Sequence, residues 1–206
     1  DLHSFPTRRS SDLQLDIIVI SAPSGAGKTS VCDAVIKEDK NTVYSVSATT
    51  RKPREGENNG TEYFFTGEKK FKEMIKGGKF AEWAKVHGNY YGTPKSFLAK
   101  TLEKGKNVLL DIDVQGGISI KKIYPRACMI FIMTPDFKTL EKRLRTRKTD
   151  SAESIKERLS NAKKELALLD KYEYLVINEK LDKAVEAVLT IIKSLRYKTE
   201  KGKKYF

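Results

Sequence analysis

The stretch "SAPSGAGKT", residues 21–29, sets two glycines, a lysine and a threonine directly after the apolar run "LDIIVI". It fits the phosphate-binding loop G-x-x-x-x-G-K-[ST], with Ala22 in the first glycine position. In such a loop Gly25 and Gly27 let backbone N–H groups turn inward around oxygen atoms. Lys28 reaches the outer phosphates, and Thr29 offers a hydroxyl to Mg²⁺. A helix starting here adds the positive end of its dipole. Ala22 is small enough for the loop entrance, so no loss of binding is expected from it.

Four further groups carry chemistry. In "SVSATTRKPREGENNGTEYFF", Arg51 and Arg54 stand three apart with a proline between them. Two guanidinium forks near one point suit a dianionic phosphate, although a plain surface loop explains them as well. In "FAEWAKVHGNYYGTP", Glu82 sits beside the only tryptophan and precedes a turn with Tyr90, Tyr91 and Thr93. Taken singly, Glu82 reads as a solvated helix charge and the tyrosines as packing residues. In "DIDVQG", Asp111 and Asp113 are two apart at the end of a strand and point to one side. That edge is where ligands sit in open α/β sheets. Asp113 either orients water on Mg²⁺ or caps the next helix. Finally, Arg143 and Arg147 share one helix face.

These groups need a scaffold. Apolar runs at 15–21, 107–113, 128–133 and 174–178 are short, nearly continuous and rich in Ile, Val and Leu, as strands buried on both faces are. Helical patterns follow at 27–38, 115–123, 136–147 and 181–197. Strands alternating with helices predict a parallel α/β sheet. Residues 47–95 break the alternation and read as a small insert, with the strand-like "EYFF", a helix near "EKKFKEMIKGG" and many turn residues. A second helix lies within 148–170, where Asp150 and Glu153 have capping-box spacing. Ile155, Leu159, Ala162, Leu166 and Leu169 give it one apolar face. With the preceding helix it predicts a hairpin, 136–170, standing off the sheet.

Composition limits the alternatives. A chain of 206 residues suits one domain with inserted pieces. The net charge of +13 invites a nucleic-acid reading. The lysines are spread over most segments, however, so a solvated helical surface accounts for them and no nucleic-acid partner is expected. Cys32 and Cys128 show neither metal-ligand nor disulfide spacing and read as reduced core residues. No apolar stretch approaches the roughly 18 residues that span a membrane, and a cytoplasmic location is expected. Residues 1 to about 13, "DLHSFPTRRSSDL", resemble the conceptual translation of a sequencing adapter and are expected to be a non-native leader. Residues 199–206 form a basic tail.

"SAPSGAGKT", "SVSATTRKPREGENNGTEY", "FAEWAKVHGNYYGTP", "VLLDIDVQGG" and "EKRLRTRKTDSAESIKERL", in this order, resemble the guanylate kinase family over about 15–192. The resemblance implies transfer of the γ-phosphoryl group of Mg²⁺·ATP to GMP, and to dGMP, by a monomer or homo-oligomer. It implies a core of 14–46, 96–135 and 171–198 within a domain of 14–198, a GMP-binding insert of 47–95 and a lid of 136–170. Ser47, Glu82, Thr93 and Asp111 match positions around the guanine, and Arg51, Arg54, Tyr63 and Tyr91 match positions on the GMP phosphate. The ATP side matches Ser24, Gly25, Ala26, Gly27, Lys28, Thr29, Ser30, Arg143 and Asn178. Lys28, Arg54, Arg147 and Arg158 match the groups that offset charge during transfer. Glu179 stands where relatives often carry Asp, and Ala48 where they often carry a polar residue.

The fold expected is therefore a phosphate-loop α/β core around a mostly parallel five-stranded sheet, with an insert and a helical lid. Two other classes compete with it. A scaffold domain that binds phosphopeptides without catalysis would lack working loop residues, and Gly25, Gly27, Lys28 and Thr29 are all present. A nucleic-acid-binding NTPase would need a basic stripe independent of the active site.

Overall fold

The structure, a computed structural model, describes residues 17–86, 88–146 and 151–197, the Arg196 side chain excepted. The adapter-like leader, the basic tail and Arg147 lie outside the described residues. Strand β1 (Ile17–Ser21) is buried along its whole length and leads through the phosphate loop into helix α1 (Lys28–Glu38) and strand β2 (Thr42–Tyr44). The inserted segment holds β3 (Ser47–Thr49), β4 (Tyr63–Phe65), helix α2 (Glu68–Lys76), β5 (Phe80–Val86) and β6 (Asn89–Pro94). Then follow α3 (Lys95–Glu103), β7 (Asn107–Asp111), α4 (Val114–Ile123) and β8 (Cys128–Met133). The chain continues with α5 (Phe137–Thr146), α6 (Ala152–Leu166), β9 (Tyr174–Ile177) and α7 (Leu181–Ser194).

The larger sheet has the order β2-β7-β1-β8-β9, and every pair in it is parallel. Alternate residues of each strand face opposite sides, as the two-residue strand period requires. Val19, Leu110, Met129 and Phe131 pack on one side, and Ile18, Ile20, Ile130 and Ile132 pack with Val31, Val35 and Val188 on the other. Both faces are thus covered, which is why these strands read as unbroken apolar runs. The fifth strand is β2. At three residues it is too short to leave a periodic signal.

The insert forms a four-stranded sheet of order β4-β3-β6-β5, in which β3 and β4 are parallel and the other pairs antiparallel. Here the sequence misleads. Glu82 lies on a strand, not a helix, and most of "HGNYYGTP" is strand β6 rather than turn. The inward side of β5 carries a carboxylate at 82 and the outward side a tryptophan at 83, so the usual apolar alternation is inverted. Gly92 belongs to a close approach: a Cβ there would lie 3.0 Å from both the Glu82 carbonyl and the Phe80 ring. The helix α3 has Leu98 and Thr101 as its buried residues and gives little periodic signal.

The α5–α6 hairpin does not stand off the sheet. Leu140 and Leu144 are fully buried, and Ile155 and Ala162 join the same cluster as Val19 and Phe131. An apolar stripe of that size has to be covered, and the main core covers it. The α6 cap also differs from the expectation: Ser151 is the N-cap, with its Oγ accepting from the Ser154 N–H at 3.2 Å. Asp150 lies outside the described residues. Cys32 and Cys128 are both buried. Among the described residues no helix is long and apolar enough to cross a membrane.

The insert has a small core of its own, Ala48, Phe71 and Phe80. The Phe71 ring stacks on Phe80 at 4.4 Å and on Tyr90 at 5.5 Å. Phe71→Ala is therefore expected to lower the unfolding free energy by about 3–5 kcal/mol. A urea titration followed by Trp83 fluorescence measures it, because Trp83 lies on the neighbouring strand and reports the same unit.

Candidate active site

The loop after β1 turns because Gly25 and Gly27 take φ values of 92° and 89°, in the left-handed region that L side chains avoid. Space enforces the same choice. A Cβ at Gly25 would lie 2.9 Å from Leu144 Cδ2, and one at Gly27 would run into the Asn178 side-chain amide. Asn178 Nδ2 donates to the Ala26 carbonyl at 2.8 Å. Arg143 Nη2 donates to the Asn178 carbonyl at 2.9 Å, and its Nη1 reaches the Ala26 carbonyl at 3.5 Å. Asn178 and Arg143, matched in the sequence to the ATP side, thus brace the loop backbone from behind. Arg158 Nη1 donates to Ser24 Oγ at 2.6 Å, so α6 also reaches the loop.

Lys28 and Asp111 form the centre of the site. Lys28 Nζ lies 2.6 Å from Asp111 Oδ1 and donates to the Ile112 carbonyl at 2.9 Å. Asp111 Oδ2 accepts from the Tyr44 hydroxyl at 2.9 Å, with Thr29 Oγ1 at a long 3.4 Å. Burial, then the charge of Asp111, pushes the Tyr44 hydroxyl pKa well up. Asp113 caps α4, its Oδ1 accepting from the Gly116 N–H at 2.9 Å. Among the described residues no group of three or more His, Cys, Asp or Glu side chains forms a metal cage. Mg²⁺ bound with a nucleotide asks for less: one or two protein oxygens beside phosphates and water. Thr29 Oγ1 and the second Asp113 oxygen are hard donors of that kind.

A cavity of about 280 Å³ opens beside this centre, lined by Ser47, Tyr63, Glu82, Tyr91, Asp111, Lys28 and Thr29. The two sheets meet here, so the fold brings together residues far apart in the chain. Glu82 is only 7% exposed, and its Oε1 accepts from the Thr93 hydroxyl at 2.6 Å. Burial raises its pKa to about 7; the Thr93 hydrogen bonds oppose the rise and the charge of Asp113 adds to it. Arg51 Nη2 pairs with Glu57 Oε1 at 2.8 Å, and its guanidinium lies over the Tyr63 ring, 5.4 Å from the centroid. The Arg54 backbone N–H donates to the other Glu57 oxygen at 2.7 Å, while residue 54 itself is exposed. The Tyr63 and Tyr91 rings meet edge to face at 5.9 Å.

Three residues of the site were not singled out in the sequence. Tyr44 sits on the short edge strand that gave no signal. Glu57 fixes the loop of both arginines and looks like one more charge in "REGENNG". Glu165, on the last turn of α6, is half-buried; burial pushes its pKa up to about 7, against the charge of Lys28 and with that of Asp113. Its neighbours come from elements distant in sequence, so only the fold reveals it.

A glycine loop at the carboxyl edge of a parallel sheet, with a lysine and a threonine at its helix start, defines a phosphate-loop α/β protein. The guanylate kinase family model matches residues 14–195, and the chain belongs to the guanylate kinase family. It is 46% identical over 187 residues to a guanylate kinase of Caldanaerobacter subterraneus subsp. tengcongensis, covering 91% of each chain. It is 48% identical over 180 residues to one of Helicobacter pylori, covering 87% of each. The crystal structure of guanylate kinase from Anaplasma phagocytophilum superposes with a TM-score of 0.74 at 31% identity, over 91% of this chain and 90% of that one.

The environment of Glu82 has a consequence for stability. Moving a carboxyl pKa from 4.5 to about 7 is worth roughly 3 kcal/mol at 1.36 kcal/mol per pKa unit. Between those pH values the folded state binds more protons than the unfolded one, so stability falls as pH rises through the window. Glu165 adds to the same slope. Glu82→Gln is expected to remove its share, so that urea-unfolding free energies measured from pH 4.5 to 7.5 fall less steeply than in the native protein.

Proposed function

We infer that this protein transfers the γ-phosphoryl group of ATP to GMP, giving ADP and GDP, and that it accepts dGMP as well. The observation that carries the choice of acceptor is Glu82, a buried carboxylate on the wall of a cavity that opens onto the phosphate loop. An ionised carboxylate offers two acceptors to guanine N1–H and the 2-amino group, and adenine presents no such donor pair. Thr93 holds one carboxylate oxygen in place through its hydroxyl. Ser47 and Asp111 complete the base site.

Arg51, Arg54, Tyr63 and Tyr91 hold the GMP phosphate, the arginines by charge and the tyrosines by hydroxyl donation. Glu57 already fixes the Arg51 guanidinium, which lessens the ordering needed when the phosphate arrives. The loop N–H groups of 24–30 cradle the ATP phosphates. A GMP phosphate oxygen attacks the γ-phosphorus; the new O–P bond forms as the bond to the β,γ-bridging oxygen breaks, and that electron pair leaves on ADP. No covalent enzyme intermediate is needed, because positioning and charge neutralisation carry this chemistry. Thr29, and Asp113 through water, would hold a Mg²⁺ ion brought in with the nucleotide, which would supply charge neutralisation at the phosphates. Lys28, Arg54, Arg147 and Arg158 offset the rest. Segment 47–95 is the GMP-binding unit and 136–170 the lid that excludes water. The reading includes a cytoplasmic location.

Two substitutions test it. Glu82→Gln turns a donor toward a donor, so the GMP KM is expected to rise by about a hundredfold or more while the ATP KM holds. A coupled assay of ADP release over a panel of nucleoside monophosphates reads this. A Gln variant that keeps native GMP affinity and still rejects AMP would reduce Glu82 to a bystander. Arg158→Ala is expected to lower kcat by roughly a hundredfold with a much smaller change in GMP KM, since its charge acts on the moving phosphoryl group. Steady-state kinetics at varied GMP separate the two effects.

A further inference from the structure

We infer that Tyr44 is a positioning residue for phosphoryl transfer: its hydroxyl pins the Asp111 carboxylate between the two substrate sites, and so couples ATP binding to GMP binding. The inference rests on the proposed reaction, which puts Asp111 on the GMP side. Three observations support it. Asp111 stands at the end of β7 with its side chain only 8% exposed and its two oxygens divided, Oδ1 to Lys28 at 2.6 Å and Oδ2 to Tyr44 at 2.9 Å. Tyr44 stands on the adjacent strand in register with Leu109, so its hydroxyl reaches along β7 to the aspartate. Its ring packs on the core cluster of Ile18, Ile20 and Leu109, and the Ser45 N–H donates to the Leu109 carbonyl at 2.8 Å. Core packing and the strand ladder therefore set where the hydroxyl sits. Burial beside a carboxylate keeps it protonated and a donor.

Lys28 pairs with the Asp111 Oδ1 oxygen. ATP phosphates are a stronger partner for an ammonium than one carboxylate, so ATP draws Lys28 away and vacates Oδ1. A carboxylate without a second anchor would follow the lysine. Thr29 at 3.4 Å is too distant to hold it, whereas Tyr44 is not. The carboxylate stays, and the vacated oxygen accepts from the guanine side of the cavity. GMP thus binds best once Lys28 has left, and by linkage ATP binds best once GMP has claimed Asp111.

Tyr44→Phe keeps the ring and deletes only the hydroxyl, and Tyr44→Leu repeats the deletion with a different core filling. Calorimetric titration of GMP is run on each protein, alone and saturated with Mg²⁺ and a nonhydrolysable ATP analogue. The expected result is that GMP affinity for the free variants stays near native, while affinity for the analogue complex falls roughly fivefold, a loss within the usual range of coupling energies. Comparing variant with native cancels the repulsion between the two substrates' phosphates, which is common to both. Equal falls in the two titrations would make Tyr44 a wall of the GMP pocket, and no fall in either would make it a packing residue. Each of those outcomes overturns the inference. Native protein that fails to phosphorylate GMP in the ADP-release assay overturns the reading beneath it.

Discussion

The Lys28–Asp111 ion pair is the contact on which the site depends. It joins the first residue of α1 to the last residue of β7, strands β1 and β7 being neighbours in the parallel sheet. Parallel pairing brings the carboxyl ends of these strands to one edge, so the loop lysine and the strand-end aspartate meet although they are distant in sequence. Removing either partner would leave a nearly buried charge alone, which is far costlier than losing an exposed pair. The Tyr44 hydroxyl and the Ile112 carbonyl take up further hydrogen-bonding capacity of the pair, as a low-dielectric setting demands.

A second constraint is the burial of Glu82. Burial disfavours ionisation of this carboxyl and pushes its pKa up to about 7. The small sheet makes the arrangement possible: β5 and β6 pair across Glu82 and Thr93, placing a hydroxyl against one carboxylate oxygen. A ligand with two converging donors relieves the remaining penalty, and one with an acceptor in that place deepens it. Discrimination of this kind follows from leaving buried polar groups unpaired with the wrong partner.

The phosphate loop is held from two directions. Asn178 and Arg143 grip its backbone from behind, while Leu144 of α5 packs against Gly25 and Arg158 of α6 reaches Ser24. The proposed lid is therefore in contact with the loop through its apolar stripe as well as through its arginines.

Local chemistry made much of this legible in the sequence. The loop glycines, Lys28 and Thr29 are dictated by backbone geometry and phosphate charge, both readable within nine residues. The long apolar runs marked four strands of the larger sheet because burial on both faces suppresses polar residues. Family likeness supplied the remaining site residues by position. What the sequence left open depends on partners brought from afar. Strand β2 is too short to declare itself, and β5 hides because its inward residue is the buried Glu82. The fate of the α5–α6 stripe depended on a core surface several strands away, so the hairpin read as projecting when it is packed. Tyr44, Glu57 and Glu165 gain their meaning only from what they face. A sequence fixes period and charge along one chain; distance between residues remote in that chain is set by how the sheets pack, and that decided which carboxylates became buried and which hydroxyls reached them.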